Sequence, residues 1–220
     1  MKRRFRAIVF DLDGTLIDIP DHNLFDRLLV ETLESLSVPV PAGKELKELW
    51  VSGKNYVNIL KCWGVVNIDE FWRVFDLKDL RARKDLIGRG VIRPFDDTEV
   101  LKRLKEKFKL GLVSNTIEEI VMLEIETFDL KKYFSKIVTL GTVAQQFAKP
   151  EPDGIVWCLE GLDVPADSAL TIGDQRTDII AGKRAGSTTA LLVRREDQQH
   201  FDADLVFKTL YELEDYIAGM

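Results

Sequence analysis

The nine residues AIVFDLDGT, numbered 7–15, carry the strongest structural signal in this chain. Their first four residues form an apolar run that predicts a short strand buried on both faces. Asp11 and Asp13 follow this run, and Gly14 permits a sharp turn. Residues i and i+2 of an extended strand point to the same side, so we expect the two carboxylates to lie together. A hard cation such as Mg²⁺ would offset their repulsion, although an Asp-containing turn after a strand uses the same residues.

Similar apolar runs recur along the chain, and segments with helical spacing separate them. The runs are continuous rather than alternating, which is typical of strands covered by helices on both faces. This alternation predicts an α/β fold with a doubly wound parallel sheet. The further predicted strands are Leu110–Val113, Lys136–Leu140, Ala169–Ile172, Thr189–Val193 and Asp204–Phe207, and the helices between them are Thr98–Phe108, Ile117–Phe128, Asp153–Leu162, Arg176–Ala185 and Leu210–Ala218.

One long interval, from about Asp18 to Gly90, interrupts the alternation and has no strand pattern. It is too long for a plain loop, and its apolar residues recur at helical spacing. We therefore predict a helical cap over residues 18–90, inserted into an α/β core that comprises residues 1–17 and 91–220. The helices predicted in the cap are Asn23–Leu36, Lys44–Trp63 and Asp69–Ile87.

Ser114 and Asn115 follow the second predicted strand, directly before a helix that begins near Ile117. A hydroxyl group at this point and the backbone N–H groups of a helix start both donate to phosphate oxygens. A simple helix cap by Asn115 or Thr116 explains the same residues. This motif therefore does not decide the function by itself.

Two further motifs follow later strands. Lys149 precedes the segment PEPD at residues 150–153, and a lysine on such a rigid loop would hold a phosphoryl group. Asp174 follows the fourth predicted strand, and Asp178 lies one helical turn onward, so both can face one point. We expect Asp174 to bind a cation and Asp178 to hold a metal-bound water or to steady Lys149. A solvated lysine and a capped helix start are the alternatives.

All four motifs stand at the carboxyl ends of predicted strands. In an open α/β sheet these ends form the edge where ligands bind. We therefore predict that the four motifs meet in one site.

In order and spacing, the motifs resemble those of the haloacid dehalogenase-like (HAD) superfamily. The resemblance covers nearly the whole chain and rests on Asp11, Asp13, Gly14, Thr15, Ser114, Lys149, Pro150, Gly173, Asp174 and Asp178. The helical insertion resembles the C1-type cap of the branch that contains phosphoglycolate phosphatases and β-phosphoglucomutases. The resemblance implies a magnesium-dependent phosphatase that acts on a small phosphorylated metabolite such as phosphoglycolate or a sugar phosphate.

By this resemblance, Asp11 is the nucleophile that forms an aspartyl phosphate, and Asp13 is the general acid and then the general base. Mg²⁺ would bind to Asp11, to the backbone carbonyl of Asp13 and to Asp174. The phosphate-binding residues would be Thr15, Ser114, Asn115 and Lys149. Dehalogenases of the family resemble this chain in the first aspartate but lack the second, because a halide leaves without a proton. Asp13 therefore favours an oxygen leaving group.

Lys54, in the segment WVSGKNY of the predicted cap, is the cap residue that we expect to contact a substrate anion. This Gly-Lys pair is not a P-loop, because the upstream glycine and the following Ser or Thr are absent. A solvated surface lysine is the alternative. We expect His22 and His200 to be surface residues outside the site.

Charge and composition exclude several classes of protein. The 37 acidic and 31 basic residues give a net charge of −6, which argues against a nucleic-acid partner. No apolar stretch approaches the length of a membrane span, and the basic N-terminus precedes too short an apolar run for a signal peptide. Cys62 and Cys158 lie far apart and form no zinc motif. We therefore expect a cytoplasmic protein without a membrane partner, and the sequence leaves its oligomeric state open.

Two other functions stay open. A phosphomutase would return the phosphoryl group to a sugar and would need an activating sugar bisphosphate. A catalytically silent binding protein would be expected to lack one of the site residues, whereas Asp11, Asp13, Lys149 and Asp174 are all present. The cap would select the substrate, and its sequence does not identify one.

Overall fold

The apolar run at residues 7–10 forms the central strand of a parallel sheet in the computed structural model of this chain. The structure describes residues 5–195, 198 and 201–219, and His200 lies outside them. The strands are β1 (Ala7–Phe10), β2 (Ile17–Asp18), β3 (Arg93–Pro94), β4 (Lys109–Ser114), β5 (Lys136–Thr139), β6 (Ala169–Gly173), β7 (Thr188–Leu192) and β8 (Leu205–Phe207). The α-helices are α1 (Leu24–Ser35), α2 (Gly43–Val51), α3 (Tyr56–Trp63), α4 (Ile68–Gly88), α5 (Val100–Lys105), α6 (Glu118–Thr127), α7 (Asp153–Leu162), α8 (Arg176–Ala185) and α9 (Leu210–Ala218).

Within the described residues, the main sheet has six strands in the order β5-β4-β1-β6-β7-β8, and each neighbouring pair is parallel. In the register of this sheet, Phe10 of β1 lies opposite Leu112 of β4 and Ile172 of β6. The carboxyl ends of these three strands therefore share one edge. The predicted doubly wound α/β fold is confirmed, and this edge receives the motifs that follow each strand.

Helices cover both faces of the sheet. Alternate residues of β1 point to opposite faces and pack against different helices. Ile8 and Phe10 pack in a core with apolar residues of α5, α6 and α9, and this core continues into α1 and α4. Ala7 and Val9 pack in a second core with residues of α7 and α8. All four residues of β1 are fully buried, which explains why the run is apolar without alternation.

The interval predicted as a helical cap contains four consecutive helices, α1 to α4, between β2 and β3. These two short strands pair antiparallel, with Ile17 opposite Pro94 and Asp18 opposite Arg93. The sequence did not reveal them, because two residues are too few to show a strand pattern. The strands close the helical segment at its base. The division into a core and a cap domain stays a prediction.

Two predicted helices are wrong in detail. The single helix predicted over Lys44–Trp63 is interrupted by a 3-10 turn at Gly53–Asn55, between α2 and α3. Gly53 has a φ of +52°, in the left-handed region that ends a regular helix. The helix predicted from Thr98 instead begins as a 3-10 turn over Asp96–Glu99, before α5. The other helices predicted in the core agree with the structure within one residue at each end.

His22 is exposed, as predicted. Among the described helices, none combines the length and the apolar character that a membrane span requires.

Gly111 shows how closely α7 packs on the sheet. It lies in the middle of β4, and an added Cβ atom would overlap the Sγ atom of Cys158 and approach Leu162 Cδ1 to 3.2 Å. A strand residue with any side chain would push α7 away from the sheet. Gly111 is therefore a packing requirement, although its φ is ordinary for a strand.

We expect Gly111→Ala to lower the free energy of unfolding by about 1–3 kcal/mol, because the new methyl group overpacks the core. Gly88→Ala is the matched control, since a Cβ atom at the end of α4 meets nothing within 4 Å. Urea unfolding of both variants measures the difference. Equal stability of the two variants would contradict the close packing of α7 on β4.

Candidate active site

Lys149 lies at the centre of the predicted site and is buried with three acceptors. Its Nζ atom donates to Asp11 Oδ1 at 2.5 Å, to Asp178 Oδ1 at 2.6 Å and to the carbonyl of Val113 at 3.0 Å. Burial alone would lower the pKa of Lys149, but the carboxylates of Asp11 and Asp178 outweigh burial and raise that pKa. Lys149 therefore stays charged in the folded protein and holds one oxygen of Asp11.

The carboxylates of Asp11, Asp174 and Asp178 form a cluster in which one oxygen of each lies within 4.8 Å of the other two. Burial and the nearby charge of Asp178 raise the pKa of Asp174 to about 7. Burial also raises the pKa of Asp11 well above its usual range, and Lys149 offsets this only in part. Oxygen donors that repel one another suit a hard divalent cation, so the residues fit Mg²⁺.

Two glycines make room for these carboxylates. Gly14 has a φ of +78°, and a Cβ atom there would lie 2.5 Å from Asp174 Oδ2. A Cβ atom at Gly173 would overlap the carboxyl group of Asp178. Both glycines adjoin motif residues in the sequence. The acidic side chains need the space that a Cβ atom at either position would occupy.

Asp178 connects the start of α8 with Lys149. Its Oδ2 atom accepts from the backbone N–H of Gln175 at 2.9 Å, as part of a capping box. Its Oδ1 atom accepts from Lys149. One carboxylate thus caps the helix and orients the lysine, which is the contact expected of a residue that steadies Lys149.

Asn115 and Thr15 both form hydrogen bonds with other residues of the site. The Asn115 side chain donates to the carbonyl of Lys149 at 2.9 Å and accepts from its N–H at 2.8 Å, so it fixes the lysine loop. Thr15 is fully buried, and its hydroxyl donates to Asp174 Oδ1 at 3.4 Å. The assignment of both residues to phosphate binding stays a prediction.

Ser114 lies at the predicted edge, at the end of β4, where it is buried and accepts from the N–H of Thr116 at 3.2 Å. This bond leaves the hydroxyl hydrogen of Ser114 available as a donor. The assignment of Ser114 to a phosphate oxygen stays a prediction.

Asp13 does not join the cluster of Asp11, Asp174 and Asp178. The strand ends at Phe10, and turn bonds to the carbonyl of Leu12 change the chain direction. The Asp13 carboxylate instead accepts from Arg83 at 2.6 and 2.8 Å and from the Thr116 hydroxyl at 3.0 Å. Burial alone would raise the pKa of Asp13, but Arg83 and Thr116 outweigh it and lower that pKa.

Arg83, which the sequence analysis missed, is fully buried on α4. Besides Asp13, its guanidinium donates to Glu124 at 2.7 Å and to Asp79 at 3.0 Å. The available signal was periodicity. The buried stripe of α4 runs through Phe71 and Phe75 and then continues at the same spacing of four with Asp79 and Arg83.

Lys54 lies beside the loop that carries Lys149, and its contact with a substrate stays a prediction. Its Nζ atom lies 3.6 Å from Glu151 Oε2, and 61% of its side chain is exposed. Gly53 also adjoins Glu151, since a Cβ atom there would lie 2.9 Å from Glu151 Oε1. The 3-10 turn of the helical segment therefore packs beside the loop that carries Lys149, and the structure does not bring Lys54 into the carboxylate cluster.

A family model matches most of the chain. The model described as haloacid dehalogenase-like hydrolase matches residues 8–192, which include every motif at the strand ends. The chain belongs to this family. The predicted resemblance to the HAD superfamily is thereby confirmed.

Relatives match over most of the HAD chain. A phosphoglycolate phosphatase of Aquifex aeolicus is 33% identical over 202 residues, which cover 84% of each chain. The pyrophosphatase PpaX of Halalkalibacterium halodurans is 27% identical over 223 residues and 96% of each chain. The crystal structure of CbbY from Rhodobacter sphaeroides, in complex with phosphate, has a TM-score of 0.73 at 22% identity and covers 95% of this chain and 96% of its own. This structure has the same fold.

We expect Mg²⁺ to stabilise the protein more at pH 8 than at pH 6. Because burial raises the pKa of Asp174 to about 7, the folded protein retains a proton that the unfolded chain loses at lower pH. Stability without metal therefore falls as the pH rises from about 4 to about 7. Mg²⁺ competes with this proton, and it should add about 2.7 kcal/mol when its concentration is one hundred times Kd.

Thermal unfolding at both pH values, with MgCl₂ and with chelator, measures this effect. Asp174→Asn should remove most of the stabilisation by Mg²⁺, whereas Asp215→Asn, on the exposed surface of α9, should retain it. An equal gain in the two variants would place the metal elsewhere.

Proposed function

We propose that this protein is a magnesium-dependent phosphatase that hydrolyses a small phosphomonoester through an aspartyl phosphate on Asp11. One observation carries the proposal. Asp11 lies at the carboxyl end of the central strand, where Lys149 holds one of its oxygens beside the carboxylates of Asp174 and Asp178. This is a fixed nucleophile next to a buried positive charge and an oxygen-rich cation site.

In the first step, the free oxygen of the Asp11 carboxylate attacks phosphorus, and the bond from phosphorus to the leaving oxygen breaks. Asp13 takes up a proton as the negatively charged phosphoryl group enters and gives that proton to the leaving oxygen, so an alcohol leaves. In the second step, water attacks the phosphorus of the aspartyl phosphate, and Asp13 takes the proton from the water. Inorganic phosphate leaves, and Asp11 and Asp13 return to their starting states.

The remaining residues hold the reacting groups. Lys149 orients Asp11 and offsets negative charge as the phosphoryl group enters. A bound Mg²⁺, held by Asp11 and Asp174, would neutralise the phosphoryl charge and align it with the nucleophile. Ser114 is the proposed donor to a phosphoryl oxygen, and Asn115 fixes the loop of Lys149 through two backbone contacts.

The substrate class follows from the leaving group. Because Asp13 supplies a proton, the site suits an ester or anhydride oxygen rather than a halide. The names of the relatives, phosphoglycolate phosphatase and pyrophosphatase, support the same chemistry. A substrate panel should therefore contain phosphoglycolate, sugar phosphates, nucleotides and pyrophosphate.

We expect Asp11→Asn to abolish hydrolysis of an aryl phosphate, by about 10³-fold or more, because the amide cannot form the covalent intermediate. Release of the phenol should require MgCl₂ and should stop with chelator. Asp215→Asn is the matched control, because it makes the same change at an exposed position. Turnover retained by Asp11→Asn would overturn the assignment of the nucleophile.

The covalent step has its own readout. Asp13→Asn lacks the base for the second step, so with an activated aryl phosphate it should accumulate phosphate on Asp11. Intact-protein mass spectrometry detects the added phosphoryl group, and the double variant with Asp11→Asn should lack it. A phosphoryl group on another residue would contradict the mechanism.

We expect Lys54→Ala to raise KM for the natural substrate about 10-fold and to leave kcat and a small aryl ester unaffected. Losing a charged hydrogen bond worth about 1.5 kcal/mol corresponds to this rise in KM. Lys61→Ala, on the exposed side of α3, is the control. An unchanged KM across the substrate panel would remove Lys54 from the site.

A further inference from the structure

Arg83 holds Asp13 through a two-point contact. The Nη1 atom donates to Asp13 Oδ1 at 2.6 Å, and the Nη2 atom donates to Asp13 Oδ2 at 2.8 Å. Such a fork fixes the plane and the direction of a carboxylate, which a single lysine contact does not do. A residue of the helical segment therefore sets the orientation of Asp13, together with the hydroxyl of Thr116, which donates to Asp13 Oδ2 at 3.0 Å.

Arg83 is itself held on every side. Its Nε atom donates to Asp79, one turn earlier on α4, and its guanidinium lies 5.2 Å from the centre of the Phe25 ring of α1. On the core side, Nη1 also donates to Glu124 of α6 at 2.7 Å. A guanidinium fixed in this way cannot turn without breaking several buried contacts. It forms a rigid support for the carboxylate that it grips.

Only one member of this cluster is open to the outside. The side chains of Arg83 and Glu124 have no exposed surface and that of Asp79 is 5% exposed, whereas the side chain of Asp13 is 20% exposed. Asp79 and Glu124 are the buried partners of Arg83, and burial raises the pKa of both. Arg83 therefore connects these buried groups to the one partly exposed carboxylate of the cluster.

We propose that Arg83 is the positioning residue for Asp13, so that the direction of the proton-transfer carboxylate depends on the seating of α4 against the core. This inference rests on the proposed function and adds to it a residue from the helical segment. Arg83 does not touch the reacting atoms and acts only through Asp13.

Arg83→Lys tests the inference with two esters that differ in their need for a proton. Phenyl phosphate releases a basic phenoxide that needs protonation, whereas dinitrophenyl phosphate releases a stable phenoxide that does not. We expect Arg83→Lys to lower kcat/KM for phenyl phosphate about 10²-fold and that for dinitrophenyl phosphate by no more than about threefold. Arg81→Lys, an exposed position on the same helix, is the matched control.

The second readout is coupling to Asp13. In an Asp13→Asn background, Arg83→Lys should cause no further loss of activity on phenyl phosphate, because its route of action has been removed. Losses that multiply in the double variant would overturn the inference. An equal loss on both esters would also overturn it, because a general disturbance of the fold would act on both.

A separate variant guards against loss of folding, because Arg83→Lys leaves the buried carboxylates with a weaker partner. If it does not fold, Arg83→Met combined with Asp79→Asn and Glu124→Gln removes these charges together. The same difference between the two esters is expected. Failure of both variants to fold would make Arg83 a structural anchor and overturn the inference.

Other results would contradict the proposed function itself. Wild-type protein would then release no phenol from either ester with MgCl₂, or Asp11→Asn would remain active. An active wild-type protein with insensitive Arg83 variants would instead contradict the inference alone.

Discussion

The ammonium group of Lys149 carries one positive charge into a cluster of three carboxylates. One oxygen each of Asp11, Asp174 and Asp178 lies within 4.8 Å of the other two. Buried carboxylates at this spacing repel strongly unless a cation is present. Much of the surrounding structure serves to bring Lys149 to this point. Asn115 fixes its backbone through two hydrogen bonds, and Asp178 accepts from its Nζ atom while capping α8.

The two aspartates of the first motif have separate positive partners. Lys149, from the core, donates to Asp11, and Arg83, from the helical segment, donates to Asp13. The environments of Asp11 and Asp13 shift their pKa values in opposite directions. Burial raises the pKa of Asp11 despite Lys149, whereas Arg83 outweighs burial and lowers the pKa of Asp13. Without a ligand these directions are the reverse of what the proposed roles require, because a nucleophile acts in its ionised form and a proton donor in its protonated form. A bound divalent cation would favour the ionised form of Asp11, and the negative charge of a bound phosphoryl group would favour the protonated form of Asp13.

The sequence predicts the sheet well because buried parallel strands are continuous apolar runs, and the polar residues that end these runs mark the functional edge. It also predicts Asp11, Lys149 and Asp174 at that edge, since parallel strands bring their carboxyl ends together. It fails where a contact depends on tertiary packing alone. Arg83 is 70 residues from Asp13. A charged residue among the exposed residues of α4 is expected to be exposed as well, so its residue type does not indicate burial. Only the spacing of Asp79 and Arg83 along the buried stripe gives a sign.

Other details of the site also depend on local structure. Asn115 and Thr15 use polar groups for hydrogen bonds inside the protein, which their residue types do not reveal. The strand ends at Phe10, and the Asp13 carboxylate lies outside the cluster of Asp11, Asp174 and Asp178. Gly53 breaks a predicted helix by its positive φ. In each case the residue type was informative, and the backbone direction, which the sequence pattern does not give, decided the contact.

Among the described residues, Lys54 and Arg83 of the helical segment form ion pairs of unequal strength with the core. Lys54 and Glu151 lie 3.6 Å apart with the lysine largely exposed, and such surface pairs contribute about 0–1 kcal/mol. Removing Arg83 from its buried carboxylates costs about 3–5 kcal/mol, because those charges lose their partner. The ion pair of Lys54 can therefore break at little cost while Arg83 still holds Asp13. Under the proposed roles of Lys54 and Asp13, substitutions in the 3-10 turn at Gly53–Asn55 should change which anion is bound without moving Asp13.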